Sequence, residues 1–201
     1  HKNIKGLKKD LVLKKIKPIL EDASIKKVGQ NIKFDYIVLK QHGIVIKSME
    51  DTMLISYTLD AGINRHSLDL LSEIHLNHKT ISYKELVGSG KNKLNFSDIN
   101  LKEATEYAAE DADVTLRLYN SLKARLDKEK LNKIYEVFEK PMLELLSQLE
   151  TNGIKIDKSY LQKLSKKFEE RIKKIESEIF SLAKKKFNIG SPKQLGEIIY
   201  N

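Results

Sequence analysis

The sequence predicts an α/β domain followed by a helical segment, and three observations predict it. Two short strand candidates, Lys27-Val28 and Ile44-Val45-Ile46, alternate with stretches of helical periodicity as far as Leu126, the pattern of strands interleaved with helices. From Leu131 onward the apolar spacing is helical. A charge run from Asp127 to Lys130 lies between the two regimes and places the domain boundary, giving residues 1–127 and 128–201.

The elements follow in order. Leu7 to Leu20 carries apolar residues at Leu7, Leu11, Ile16 and Ile19/Leu20, a helix that Pro18 kinks or restarts. Lys27-Val28 is the first strand and leads into Gly29. Asn31 is a good helix N-cap, so a helix runs from there to His42 and stops at Gly43. Ile44 to Ile46 is the second strand, and two short helices follow, Thr52 to Leu59 and Ser67 to Leu76. Gly88, Gly90 and their polar neighbours mark a loop-rich excursion from Asn77 to Ser97. Asn100 with Glu103 three residues on reads as an approximate capping box, opening a helix that reaches Leu126. The helical part beyond is interrupted at Asn152-Gly153, and Lys155-Ile156 is a short strand candidate.

Composition narrows the function classes. The chain of 201 residues is long enough for a sizeable core. Its formal charge of +9 fits a polyanionic partner, and the charge is clustered: Lys158 to Lys186 holds ten Lys/Arg against four Glu, and the first seventeen residues hold seven Lys against one Asp. A solvated lysine-rich helix face is the plain alternative for either segment. There are no cysteines, which excludes disulfides and thiolate metal sites and suits a reducing cytoplasm. No apolar run approaches membrane-spanning length. The expectation is a cytoplasmic monomer with no membrane partner. His1 opens the chain without an initiating Met, which is expected of a piece of a longer protein.

Two carboxylates stand in matching surroundings: Asp35 in VGQNIKFDYIVL and Asp111 in EYAAEDADVTLRLY. Each has a hydrogen-bonding residue four positions upstream, Asn31 and Tyr107, and helical residues four apart share a face. Asp111 falls on the apolar stripe Ala104, Tyr107/Ala108, Val114, Leu118, Leu122, where a carboxylate is costly unless a cation compensates it. That stripe carries no Arg or Lys, so a metal ion is the natural counter-charge. The bland readings are an Asp35 that merely favours a helix N-terminus, tyrosines that pack, and His66, His75 and His78 as isolated surface or core histidines.

In these residues the chain resembles the bacterial DNA polymerase I family, the family A DNA polymerases. Asn31-x-x-x-Asp35 after Gly29-Gln30, then Tyr107-x-x-x-Asp111, are similar to the second and third motifs of that family's 3′-5′ exonuclease. The blocks DTMLISYTLD, HKTISYKEL and GSGKNKLNF fall between them in the family's order, and PMLELLSQLETNGIKID and FNIGSPKQLGEII are similar to the start of its polymerase domain. The resemblance implies a partial ribonuclease H-like exonuclease domain in residues 1–127 and a helical thumb-base segment in 128–201. It implies two-metal-ion phosphodiester hydrolysis, with Mg²⁺ or Mn²⁺ as the two ions of the complete site, Asp35 and Asp111 as ligands, and Tyr107 orienting the attacking water. It further implies DNA contacts from Gln30, Asn31 and Arg65, stacking of Tyr83 on the frayed 3′ base, and single-stranded 3′ ends and primer-template DNA as partners.

One departure qualifies this. The family's first motif, an Asp-x-Glu that adds two metal-binding carboxylates, has no counterpart before Asn31, since Glu21-Asp22 is adjacent rather than spaced. The expectation is therefore an internal fragment, inactive alone, of a proofreading polymerase. The alternatives are a related two-metal 3′-5′ ribonuclease and a non-catalytic nucleic-acid-binding fragment with an exonuclease-like fold.

Overall fold

The computed structural model of the chain describes residues 6–90 and 93–200, which form two compact units divided after Asn152. In the first unit, helix α1 (Lys9–Glu21) runs through Pro18 as one element and leads to strand β1 (Lys27–Gly29). Helix α2 (Ile32–Lys40) then crosses over to strand β2 (Met49–Asp51), which pairs with β1 in parallel, Lys27 opposite Met49 and Gly29 opposite Asp51.

The second strand is thus not the apolar run Ile44 to Ile46. Ile44 and Ile46 are buried, but the backbone donors of this segment are taken by helix ends. The Ile44 N–H donates to the Leu39 carbonyl (3.1 Å), the Lys47 N–H to the Leu20 carbonyl (3.0 Å) and the Val45 N–H to the Glu21 side chain (3.1 Å). A segment whose N–H groups are spent this way cannot form a ladder with β1. The strand at Met49–Asp51 includes two buried acids, Glu50 and Asp51, that a hydrophobicity pattern passes over. Lys155-Ile156 is likewise not a strand.

Helices α3 (Thr52–Asp60), α4 (Leu68–Leu76) and α5 (Tyr83–Val87) precede α6 (Leu101–Lys128), the 28-residue helix on which the unit is built. The Asn100 side chain caps α6, its Oδ1 accepting from the Lys102 N–H at 2.8 Å. The inward stripe of α6 is Val114, Leu118, Leu122 and Leu126, each four residues apart and fully buried against Ile55, Leu71 and Tyr135. Burying side chains of this size contributes roughly 1.5–3 kcal/mol apiece.

Beyond α6 the chain turns at Lys130, the short helix α7 (Asn132–Ile134) passes into a π-helical turn at Tyr135–Glu139, and α8 (Lys140–Asn152) follows. Leu143 of α8 packs with Ile32, Tyr36, Ile46 and Met49, so α8 belongs to the first unit by packing. The second unit holds α9 (Lys158–Ala183), capped by Asp157, and α10 (Pro192–Ile199), capped by Ser191. Among the described residues no helix is long and apolar enough to cross a membrane.

Arg125 of α6 pins the end of α3 through a two-pronged ion pair with Asp60, at 2.6 and 2.8 Å. Hydrogen bonds from Arg125 hold the Asp60 carboxyl below its ordinary range. A carboxyl depressed on folding stabilises above its unfolded value, near 3.9, and the contribution is lost as pH falls through the lower folded value. Asp60→Asn should therefore cost about 1–2 kcal/mol at neutral pH, with the gap to wild type closing below about pH 4. Urea unfolding across that pH range measures it, and a gap independent of pH would assign the loss to packing alone.

Candidate active site

The site is assembled where β1 ends. Gly29 closes the strand against α2: a Cβ there would lie 2.8 Å from Ile32 Cβ and Cγ1, so only glycine permits this approach. Asn31 then takes a left-handed conformation (φ 56°, ψ 45°), which Asn tolerates better than most residues, and turns the chain into α2. Its side chain does not cap the helix. The cap comes from Asp51 at the end of the neighbouring strand, whose carboxylate accepts from the N–H groups of Asn31 (3.0 Å), Ile32 (3.1 Å) and Met53 (2.9 Å). Burial pushes the Asp51 pKa up against the pull of these donors.

Held in this way, the first turn of α2 presents Asp35 toward α6. A cavity of about 660 Å³ lies between β1, α2, α4 and α6, and Asp35, Tyr107 and Asp111 all line it. Both acids singled out in the sequence therefore line one cavity, and the tyrosine is hydrogen-bonded to Asp111. Asp69 of α4 lines the same cavity and escapes a reading of the sequence, because an acid near the start of a short helix carries no motif of its own.

The electrostatics of the cavity are those of uncompensated negative charge. Burial raises the pKa of Asp35. Asp111 is also raised, chiefly by burial and further by the charges of Asp69 and Glu110, while the Tyr107 hydroxyl opposes this by hydrogen bonding to it. Tyr107 is pushed far above its ordinary value by burial and by the Asp111 charge, so its hydroxyl keeps its proton and acts as a donor. Lys27 reaches the cavity wall, but its ammonium donates to the Asp22 and Ile25 carbonyls, at 2.6 Å each. Among the described residues neither Asp35 nor Asp111 enters an ion pair.

The remaining sequence-predicted residues are placed differently. Gln30 lines the cavity with its amide engaged, donating to the His66 carbonyl (2.7 Å) and meeting the Thr52 hydroxyl (2.5 Å). Asn31 precedes the helix, so the four-residue relation to Asp35 does not put them on one face, and it lines a separate small cavity beside Asp51 and Leu143. Arg65 is exposed in the turn before α4, outside the cavity. Tyr83 joins an aromatic trio with ring centroids 6.3 Å from Phe96 and 6.0 Å from Tyr107, while Phe96 and Tyr107 are 6.1 Å apart. Phe96 has no motif that marks it in the sequence. Of the histidines, His66 meets the Ser56 hydroxyl (2.9 Å) and His78 the Glu110 carboxylate (2.8 Å).

The donor set fits a hard divalent cation in kind: two carboxylates lining one cavity, with no cation paired to either, and Mg²⁺ is commonly held by one or two carboxylates with water completing its shell. It is not a full metal cage, since no cluster of three or more metal-ligating side chains occurs among the described residues.

Comparison with known proteins gives the family of the chain. Residues 3–127 match a protein family described as 3′-5′ exonuclease. DNA polymerase I of Rhizobium leguminosarum is 49% identical over 188 residues, 94% of this chain and 18% of that protein. DNA polymerase I of Pseudomonas aeruginosa is 40% identical over 199 residues, 97% of this chain and 22% of that protein. The chain thus spans about a fifth of the length of these curated relatives. Among solved structures, the POL domain of Pol1 from M. smegmatis, in complex with DNA primer-template and dNTP, superposes with TM-score 0.72 at 20% identity over 97% of this chain and 31% of that one. Brucella melitensis NrnC gives 0.56 at 22% identity over 68% and 63%. These two likenesses concern the fold, which is a ribonuclease H-like exonuclease architecture, here with a small parallel sheet, followed by helices.

Asp51→Ala should destabilise the first unit by about 3–5 kcal/mol, because one buried and two part-buried N–H groups lose their acceptor. Asp51→Asn, which keeps one acceptor oxygen, should cost less than half of that. Urea unfolding of both variants measures the difference, and equal losses would assign Asp51 to packing rather than to its hydrogen bonds.

Proposed function

The chain belongs to the 3′-5′ exonuclease family, and from that premise we propose that it is the proofreading part of a DNA polymerase I, removing nucleotides from a DNA 3′ end by phosphodiester hydrolysis. The observation that carries this reading is that Asp35, Tyr107 and Asp111 line one cavity at the end of a parallel strand. In it Asp35 and Asp111 would hold Mg²⁺ or Mn²⁺, two ions in the complete site, and the metal would supply a Lewis acid for the phosphoryl oxygens and an acidified water.

This chain's residues do the rest. Tyr107, protonated throughout the neutral range, donates toward Asp111 and offers its hydroxyl oxygen to orient the attacking water, and it does not serve as the base. Gln30, whose amide is already fixed by His66 and Thr52, presents a rigid polar edge to the terminal nucleotide. Asn31 and Arg65 flank that edge as DNA contacts. Tyr83, 43% exposed beside Tyr107, offers a ring face to the 3′ base. Residues 128–201 are read as the start of the polymerase part, whose exposed basic helix α9 suits primer-template phosphates. A cytoplasmic monomer without membrane attachment completes the reading.

Asp35→Ala and Asp111→Ala, made in the polymerase that carries this sequence, should each lower 3′ hydrolysis of a labelled single strand by at least about 10³-fold, the scale of losing metal-held charge stabilisation. Primer extension should stay near wild type. Parallel loss of both activities would mean that the acids serve folding instead.

Tyr107→Phe keeps the ring and removes one hydroxyl. If the hydroxyl orients water, single-turnover hydrolysis should slow about 10–100-fold while affinity for a 3′ single strand is unchanged, the pattern of an interaction made in the transition state. An unchanged rate would remove Tyr107 from the catalytic set.

A further inference from the structure

The aromatic trio is set by a clasp one residue from Asp111. Glu110 of α6 sends both carboxylate oxygens to the loop between α4 and α5: Oε1 accepts from His78 Nε2 at 2.8 Å, and Oε2 accepts from the Ile81 N–H at 2.6 Å. The same loop is tied to α4 by the Ser72 hydroxyl, which donates to the His78 carbonyl (2.7 Å), and by the Thr80 hydroxyl, which donates to Asp69 (2.9 Å). The Glu110 side chain is 18% exposed, so these bonds are sheltered from water.

Helix α5 cannot set Tyr83 unaided. It has five residues, its N-cap Ser82 makes no side-chain cap bond, and its single buried residue is Val87 at the far end. Val87 packs with Ile99 and Ala104 and so fixes the C-terminal end of α5 to the start of α6. The N-terminal end, where Tyr83 lies, is fixed two residues earlier by the Ile81–Glu110 bond. An element this short, held at two points, has little remaining freedom.

We propose that Glu110 is a positioning residue for the exonuclease site: by binding His78 and the Ile81 N–H it holds Tyr83 against Tyr107 and Phe96, where its part-exposed ring, with Lys93 over it at 5.8 Å, is available to the 3′-terminal base. The proposal rests on the reading of Tyr83 given under Proposed function, but the clasp itself is independent of any nucleic acid. It assigns consecutive residues of α6 different work, Asp111 facing the cavity and Glu110 fixing the wall beside it.

The chain contains no tryptophan, so Tyr83→Trp introduces one indole fluorophore at the position in question. In that background and far below the unfolding midpoint, Glu110→Ala should shift the indole emission to the red and raise its acrylamide quenching about twofold, the mark of local opening. Glu110→Gln, which keeps an acceptor for the Ile81 N–H, should restore most of the signal seen with Glu110 intact. Unchanged indole emission and quenching in Glu110→Ala overturn the proposal, whatever happens to overall stability. If that variant does not fold, His78→Ala, which removes one arm of the clasp, should give a smaller shift in the same direction, and no shift overturns it equally. With Tyr83 in place and a chelator present, Glu110→Ala should weaken binding of a single strand ending in 2-aminopurine about fivefold, the lower scale of one base–aromatic stack. A shifted indole signal with unchanged 2-aminopurine binding would leave the clasp standing and overturn base stacking by Tyr83.

Discussion

Three backbone N–H groups from two different helix starts converge on the carboxylate of Asp51, and the geometry of the first unit follows from that convergence. Asn31, Ile32 and Met53 all donate to it, so the entrances to α2 and α3 are fixed to each other and to the end of β2. The backbone N–H of Asp51 in turn donates to the Tyr135 hydroxyl (3.1 Å), which donates to Glu50 (3.0 Å), and Lys140 closes the set on the other Glu50 oxygen (2.9 Å). This is a buried polar network with every partner accounted for, the condition under which such a network rigidifies a core rather than weakening it. It also ties the π-helical turn and α8 to the sheet, so one set of bonds locates both Asp35 and the segment that follows α6.

That network explains what was legible in the sequence and what was not. The stripe of α6, the Asn100 cap and the short helices at Thr52 and Leu68 were legible, because each depends on residues close together in the chain. The second strand was not. Glu50 and Asp51 look like surface residues until Tyr135 and Lys140, some ninety positions from Glu50, supply its partners and the helix starts at Asn31 and Met53 supply those of Asp51. Asn31 misled for the same reason. Its residue type suits an N-cap, but a carboxylate from the next strand already occupies the donors, and the asparagine serves instead through its tolerance of a left-handed backbone.

The site divides along the same line. Asp35, Tyr107 and Asp111 were readable because each pair of sequence neighbours belongs to a motif, and the long helix brings the second pair to the cavity as its spacing requires. Phe96, Asp69 and Glu110 belong to no spacing rule. They act through contacts with Tyr83, Thr80 and Ile81 that exist only once the excursion from Asn77 to Ser97 has folded back on α4 and α6. A loop-rich reading of that excursion missed the short helix α5 and was silent about its use.

Charge gives the last step. The chain carries a formal +9, yet the cavity at the end of β1 gathers Asp35, Asp69 and Asp111, and the lysine on its wall spends its ammonium on two carbonyls. Random placement in so basic a chain would favour compensation. The fold instead keeps cations out of pairing with Asp35 and Asp111 and raises the proton affinity of both. A carboxylate held in that condition binds whatever positive charge can enter, and the space before it is large enough for more than a proton. In the function proposed above, the neighbouring aromatic rings would turn it toward nucleic acid, since a planar base can stack there while its phosphate would lie over the acids only with a cation between them.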